Sequence, residues 1–209
     1  MRCTLFISLA ALASASCAHP PAAISQLRPN WSSSEIARVS GLSFQLVTDA
    51  VWWLPGRGDV SSIFIALNIE NESLGPLRLN LIDTEKVSLQ RQGGKSLFQS
   101  GGRDALRAGY QFSPTVEPKQ SYRWTLRAQL DWTQASGVRL TLFDDFGGNW
   151  RTDGVEPGSY LLSVRYETGN IASETEESAS SPTPWRGQAE MSVPVNISLR
   201  LPSSRSTLE

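Results

Sequence analysis

Between Tyr122 and Trp132 every second residue is apolar. Tyr122, Trp124, Leu126, Ala128, Leu130 and Trp132 alternate with Arg123, Thr125, Arg127, Gln129 and Asp131. Successive side chains of a strand point to opposite faces, so this spacing gathers the apolar set on one side, whereas a helix would scatter it around its axis. The period recurs at Leu42, Phe44 and Leu46, at Ile63 to Ile69, at Leu77 to Leu81, at Val87 and Leu89, at Val138 to Leu142, at Tyr160 to Tyr166 and from Met191 to Leu201. Pro55-Gly56, Gly75-Pro76, Gly93-Gly94, Glu117-Pro118, Gly147-Gly148 and Pro157-Gly158 punctuate these runs with backbone angles that a continuing strand resists. Only Ser34–Val39 and a stretch around Arg103 to Arg107 admit a short helix. Many short alternating strands, each with one polar face, predict an all-β fold of antiparallel sheets packed on one core. Pro194 has no N–H for the ladder and predicts an edge position or a bulge in the last strand.

Pro157-Gly158-Ser159-Tyr160-Leu161-Leu162 resembles the start of strand F in immunoglobulin-like domains. There a "tyrosine corner" buries a Tyr whose hydroxyl bonds nearby backbone. The chain departs from antibody domains at Leu162, where they carry Cys, and Leu77 to Ile82 lacks their core Trp. The resemblance is to the superfold and spans residues 42–201. It implies an antiparallel immunoglobulin-like sandwich of about seven to nine strands. Pro118 and Tyr122, spaced Pro-x-x-x-Tyr ahead of the Trp124 strand, are similar to bacterial Ig-like domains of the proteinase-inhibitor type.

The N-terminus reads as an export signal. Arg2 precedes an apolar run from Leu5 to Ala13, and small residues follow. The run is shorter than the roughly 20 apolar residues a membrane-spanning helix needs. Two cleavage sites fit. Ala13-Ser14-Ala15 suits ordinary cleavage before Ser16, while Ala15-Ser16-Cys17 resembles the end of a bacterial lipoprotein signal. In that family the Cys carries lipid, and the branched apolar residue usual at the position of Ser14 is missing here. The expected organisation is a signal peptide over 1–16, a Pro- and Ser-containing tether over 17–40, the sandwich over 41–202 with a polar acidic loop at 168–184, and a tail over 203–209. The expected location is the cell envelope, periplasmic or membrane-anchored, or outside the cell.

The composition removes several chemistries. Cys3 and Cys17 are the only cysteines, and His19 is the only histidine. The domain therefore has no disulfide framework, no Ser-His-Asp triad and no Cys- or His-ligated metal centre. The 19 basic and 20 acidic residues become 18 and 20 once the leader's Arg2 is removed, a net charge of −2. Nucleic-acid binding usually demands a basic face.

The remaining candidates are few. Trp52 and Trp53 are adjacent, so in a strand they face opposite ways and only one can enter a given core. The other is available to a sugar ring or a protein partner, or else packs beneath residues 92–112. Asp144, Asp145, Asn149, Asp153 and Glu156 crowd one segment without the spacing of a calcium loop. Arg57-Gly58-Asp59 has the content of a hairpin turn. Asn30, Asn71 and Asn196 head N-x-Ser sequons.

These features predict a non-enzymatic binding or structural module, free of cofactor and metal, with a protein or glycan partner. It would meet a membrane only through a lipid on Cys17. Two alternatives stay open: a protease inhibitor presenting a loop such as 92–112, and a hydrolase using carboxylates between Asp144 and Glu156.

Overall fold

The computed structural model describes residues 30–80, 85–94, 96–97, 102–103, 113–133, 137–144, 148–168 and 182–199. The leader, Cys17, His19, the tether up to residue 29, Asp145, most of 92–112 and of 168–184, and the tail lie outside the described residues. Within them all regular structure is β, arranged in three open sheets.

The largest sheet runs in the order β1 (Trp31–Ser33), β3 (Leu42–Asp49), β5 (Val60–Asn71), β10 (Ser121–Thr133), β11 (Gly137–Phe143), β12 (Gly148–Asp153) and β8 (Gly102–Arg103). β2 (Ala37–Val39) also pairs with β3. A four-stranded sheet follows the order β4 (Val51–Leu54), β15 (Gln188–Leu199), β13 (Gly158–Glu167) and β7 (Glu85–Arg91). A small third sheet joins β14 (Thr183–Pro184), β6 (Leu77–Arg78) and β9 (Thr115–Val116). Pairing is antiparallel except for two pairs, β4 with β15 and β14 with β6, which are parallel. The uniformly antiparallel arrangement expected from the one-sided polar pattern is thus corrected at these two places. In both, the paired stretch is short, four residues for β4 with β15 and two for β14 with β6, and the strands are far apart in sequence, so no hairpin dictates their direction.

The alternation does the folding. Trp124, Leu126, Ala128 and Leu130 of β10 are buried, and Leu67, Ile65 and Ile63 stand opposite the first three across the β5 pair. On the other sheet Tyr160, Leu162, Val164 and Tyr166 of β13 point to the same interior as Val193, Val195 and Ile197 of β15. These inward faces form a single hydrophobic cluster. Phe44 of β3 meets Tyr166 of β13 at a ring separation of 5.7 Å, and Trp185 lies 5.2 Å from both rings. Their polar handles are satisfied. The Tyr166 hydroxyl donates to the Asn80 carbonyl (2.6 Å), and Trp185 Nε1 donates to the Val39 carbonyl (3.2 Å). At the far end of β10 the period continues but the roof stops. Trp132 is 39% exposed, and its indole N–H donates to the Pro55 carbonyl.

Two segments bear on particular expectations, the first by departing from one and the second by meeting one. Ser34–Val39 contains no helical turn. Ala37, Arg38 and Val39 pair with Phe44, Ser43 and Leu42, closed by a two-residue loop at Ser40 (φ 49°) and Gly41 (φ 82°). Two consecutive positive φ values suit a tight hairpin, and the hairpin places Val39 against the core. Together with β1 it brings residues 31–39, assigned to the tether with the Pro- and Ser-containing stretch they close, into the larger sheet. The second is Pro194. It lies inside β15 opposite Leu161, but β4 begins to cover β15 only at Asn196. The missing N–H therefore faces a stretch of edge with no neighbouring strand among the described residues, as the sequence argument requires.

Candidate functional site

The chain changes sheets at Ala50, between β3 and β4. The Ala50 amide donates to Asn30 (2.7 Å), and its carbonyl accepts from the Asn196 amide (3.1 Å). Beside this crossover a cavity of about 560 Å³ opens on the outward side of the four-stranded sheet, lined by residues of β7, β13, β15 and the crossover itself. Its volume falls in the range of about 300–1,000 Å³ typical of small-ligand sites.

Strand register builds the lining in two rows. Pro194, Leu161 and Gln90 stand side by side across β15, β13 and β7. One step toward the strand ends, Asn196 and Ser159 are paired, and the Gln92 amide donates to the Ser159 carbonyl (3.0 Å). The first row is mainly apolar and the second is amide, hydroxyl, amide. Leu161 is 40% exposed on a face where polar residues are the rule. Gln90 Nε2 donates to the Gly94 carbonyl (2.9 Å), which orients that amide. Among the described residues no hydrogen bond engages the side chains of Gln92, Ser159 or Asn196. Arg91 is the only charged side chain of the lining among the described residues. It is paired with Glu156 (2.7 Å) and also donates to the Pro157 carbonyl (3.3 Å). Tyr160 lines the cavity too, but its ring is buried and its hydroxyl donates to the Glu156 carbonyl (2.8 Å).

The tryptophan pair divides as its spacing demands. Trp52 is fully buried, with Nε1 donating to Thr48 Oγ1 (3.2 Å) and to the Asp49 carbonyl (3.1 Å). It is a core residue. Trp53 is 47% exposed and stands beside Ser198, on the same outward face as Asn196, so it extends the surface that carries the cavity.

The other sequence candidates separate in space. Asp144 is buried and accepts from the Gly148 amide, closing the turn between β11 and β12. A Cβ on Gly148 would lie 2.5 Å from the Asp144 carboxylate, so glycine is what lets that turn close. Asp153 pairs with Arg139 (2.6 Å), which holds the guanidinium pKa above its ordinary value, and Glu156 pairs with Arg91. The acids thus go to three different partners. Among the described residues no group of three or more His, Cys, Asp or Glu is placed to hold a metal ion. Arg57-Gly58-Asp59 forms the turn after β4, with the Asp59 amide donating to the Gly56 carbonyl (3.0 Å).

Asn71 is completely buried. Its Nδ2 donates to the carbonyls of Gly75 (2.9 Å) and Val116 (2.7 Å), and its Oδ1 accepts from the Ser73 amide (2.9 Å) and hydroxyl (2.6 Å). In the fold this sequon is closed to a glycosyl group, whereas Asn196 is exposed.

No protein-family model matches the chain, and no curated protein matches it in sequence. Among solved structures it is similar to the 2.2 Å crystal structure of a conserved hypothetical protein from Bacillus anthracis. The identity is 8%, the match covers 59% of this chain and 98% of that one, and the TM-score is 0.27. A likeness this distant carries neither an activity nor a ligand to this chain.

Proposed function

We propose that this chain is an exported, non-enzymatic binding module of the cell envelope, tethered through a lipid on Cys17 and built as an immunoglobulin-like sandwich. The sandwich assignment is supported by the buried Tyr160 with its hydroxyl on a carbonyl four residues upstream. It is supported as well by the way the first long strand splits, β3 joining one sheet and β4 the other.

The binding role rests on the character of the cavity. Among the described residues its unbonded polar side chains are amides and a hydroxyl, and its one charged side chain is paired with Glu156. Such a lining suits recognition of a ligand, and among the described residues it holds no acid, base or activated nucleophile with which to transform one. A hydrolase using the Asp144–Glu156 segment is disfavoured, because among the described residues its carboxylates go separate ways: Asp144 bonds the Gly148 amide, while Asp153 and Glu156 each enter a different ion pair.

Two measurements test the proposal. In a bacterial host the parent should sediment with membranes, and Cys17→Ser should be released. Intact mass should show lipid on Cys17, and an unmodified chain starting at Ser16 would refute the anchor. Titration of the labelled protein with fragments of cell-envelope glycan and peptide should shift amide resonances of Gln90, Leu161 and Asn196. Shifts confined to other surfaces would refute the cavity as the binding site.

A further inference from the structure

The lining points to a class of ligand, an inference that rests on the binding role above. We propose that the cavity takes a neutral oligosaccharide, with Gln90, Gln92, Ser159 and Asn196 bonding its hydroxyls and Leu161 and Pro194 receiving the C–H face of a ring.

Three properties of the site converge on that chemistry. The first is charge. An anionic ligand would need a free cation, but the guanidinium of Arg91 is held by Glu156 at 2.7 Å and by the Pro157 carbonyl. A cationic ligand would need a free carboxylate, and among the described residues none lines the cavity.

The second is the donor set. A sugar hydroxyl is both donor and acceptor, and a carboxamide offers both functions from one rigid group. The second row supplies amide, hydroxyl and amide in register on three neighbouring chain segments. Strands lie about 4.8 Å apart, so the three groups form a short ladder rather than a point contact. Gln90 adds a fourth, its Nε2 committed to the Gly94 carbonyl so that Oε1 accepts from the ligand.

The third is the apolar part. Leu161 and Pro194 are adjacent across strands and form a flat apolar step beside the amide row. On the opposite side of that row Trp53 shows its ring to solvent next to Ser198. Residues two apart on a strand are separated by about 7 Å along it. The surface therefore reads apolar step, amide row, aromatic ring over roughly 14 Å, two such spacings. That length suits several linked sugar units better than a single one.

The test is calorimetric titration of the full chain with cellotriose, maltotriose and triacetylchitotriose, alongside trigalacturonate and an uncharged hexapeptide. At least one neutral trisaccharide should bind. Gln92→Ala and Asn196→Ala should each weaken it about tenfold, the equivalent of one lost hydrogen bond. Leu161→Asp should weaken it further, and Gln129→Ala, on the exposed face of the larger sheet, should leave it unchanged. All four positions are exposed, and unaltered thermal melting would show that the variants fold. Failure of every neutral trisaccharide to bind would overturn the inference, as would equal affinity for the parent and Gln92→Ala. Binding of trigalacturonate or the hexapeptide in the cavity, with no neutral sugar bound, would overturn the sugar assignment and leave the binding role standing. Amide shifts at Gln90, Leu161 and Asn196 distinguish that case from binding elsewhere.

Discussion

Asn71 is the residue whose removal should cost most for the fewest atoms changed. Its side chain fills all four of its hydrogen-bonding positions while fully buried. It ties the end of β5 to the turn at Ser73–Gly75 and to Val116 of β9. Asn71→Ala orphans the Val116 carbonyl and the Ser73 amide. The Gly75 carbonyl keeps a partner, the Ser73 hydroxyl at 2.8 Å. At about 1–3 kcal/mol for each of the two groups left unsatisfied, the loss is about 2–6 kcal/mol. Total stability for such a domain is of order 5–15 kcal/mol, so this is a large share.

Urea unfolding followed by tryptophan fluorescence reads the loss as a lower midpoint at an unchanged slope. Asn71→Asp separates lost bonds from an adverse charge. It keeps the acceptor for Ser73 but turns a carboxylate oxygen toward two carbonyls. Burial and those carbonyls should raise its folded-state pKa above the unfolded value. The folded state then binds the proton more tightly, so the penalty is complete above the raised folded pKa and shrinks as pH falls through it. An Asn71→Ala variant within about 0.5 kcal/mol of the parent, the usual scatter of an inconsequential substitution, would refute the reasoning. An Asn71→Asp variant whose deficit does not change with pH would refute its electrostatic half.

Three further outcomes follow from the same contacts. Tyr160→Phe keeps the ring packed but strands the Glu156 carbonyl, so equilibrium unfolding should show a loss of about 1–3 kcal/mol; Tyr160→Ala should lose roughly 3–5 kcal/mol, and a Phe variant as stable as the parent counts against the tyrosine corner. Trp52→Ala should cost about 3–5 kcal/mol and Trp53→Ala less than about 0.5 kcal/mol, with the reverse order implying a register slipped by one residue. The Glu167 carboxyl, bonded by Lys86 (3.0 Å) and Arg165 (2.7 Å), should titrate below the ordinary carboxylate range in a carbon-detected NMR titration; its contribution is present above the unfolded pKa and disappears as pH falls through the lowered folded value, and Lys86→Met should move the titration back up.

How much of this was legible in the sequence depended on whether the cause was local. The β10 face was legible because thirteen consecutive residues keep one period, and no rival element fits it. The hydrogen bond from the Tyr160 hydroxyl to the Glu156 carbonyl was legible because donor and acceptor lie four residues apart. The hairpin Ala37–Val39 was not, since three residues cannot display a period and Ser-Pro-rich surroundings mimic a tether; its pairing with β3 supplies the order that propensity does not. Asn71 carried a misleading signal. Its Asn-x-Ser spacing matches a sequon, but the Ser hydroxyl and amide are there to bond the Asn oxygen in the turn.

The cavity was the least legible feature, and the reason is geometric. Gln90, Leu161 and Pro194 are neighbours only because β7, β13 and β15 pair in one register, and they are distant along the chain. One trace of it does exist. At Tyr160-Leu161-Leu162 the alternation of β13 breaks, because Leu161 is apolar at a position whose strand neighbours Ser159 and Ser163 are polar. Taken alone, an exposed leucine is common and says little. Once register sets it beside Pro194 and one row from three polar side chains that no hydrogen bond engages among the described residues, the same leucine becomes part of a cavity's lining. The alternation that builds the core is therefore also the background against which the proposed binding surface shows, as the position where an outward-facing residue fails to be polar.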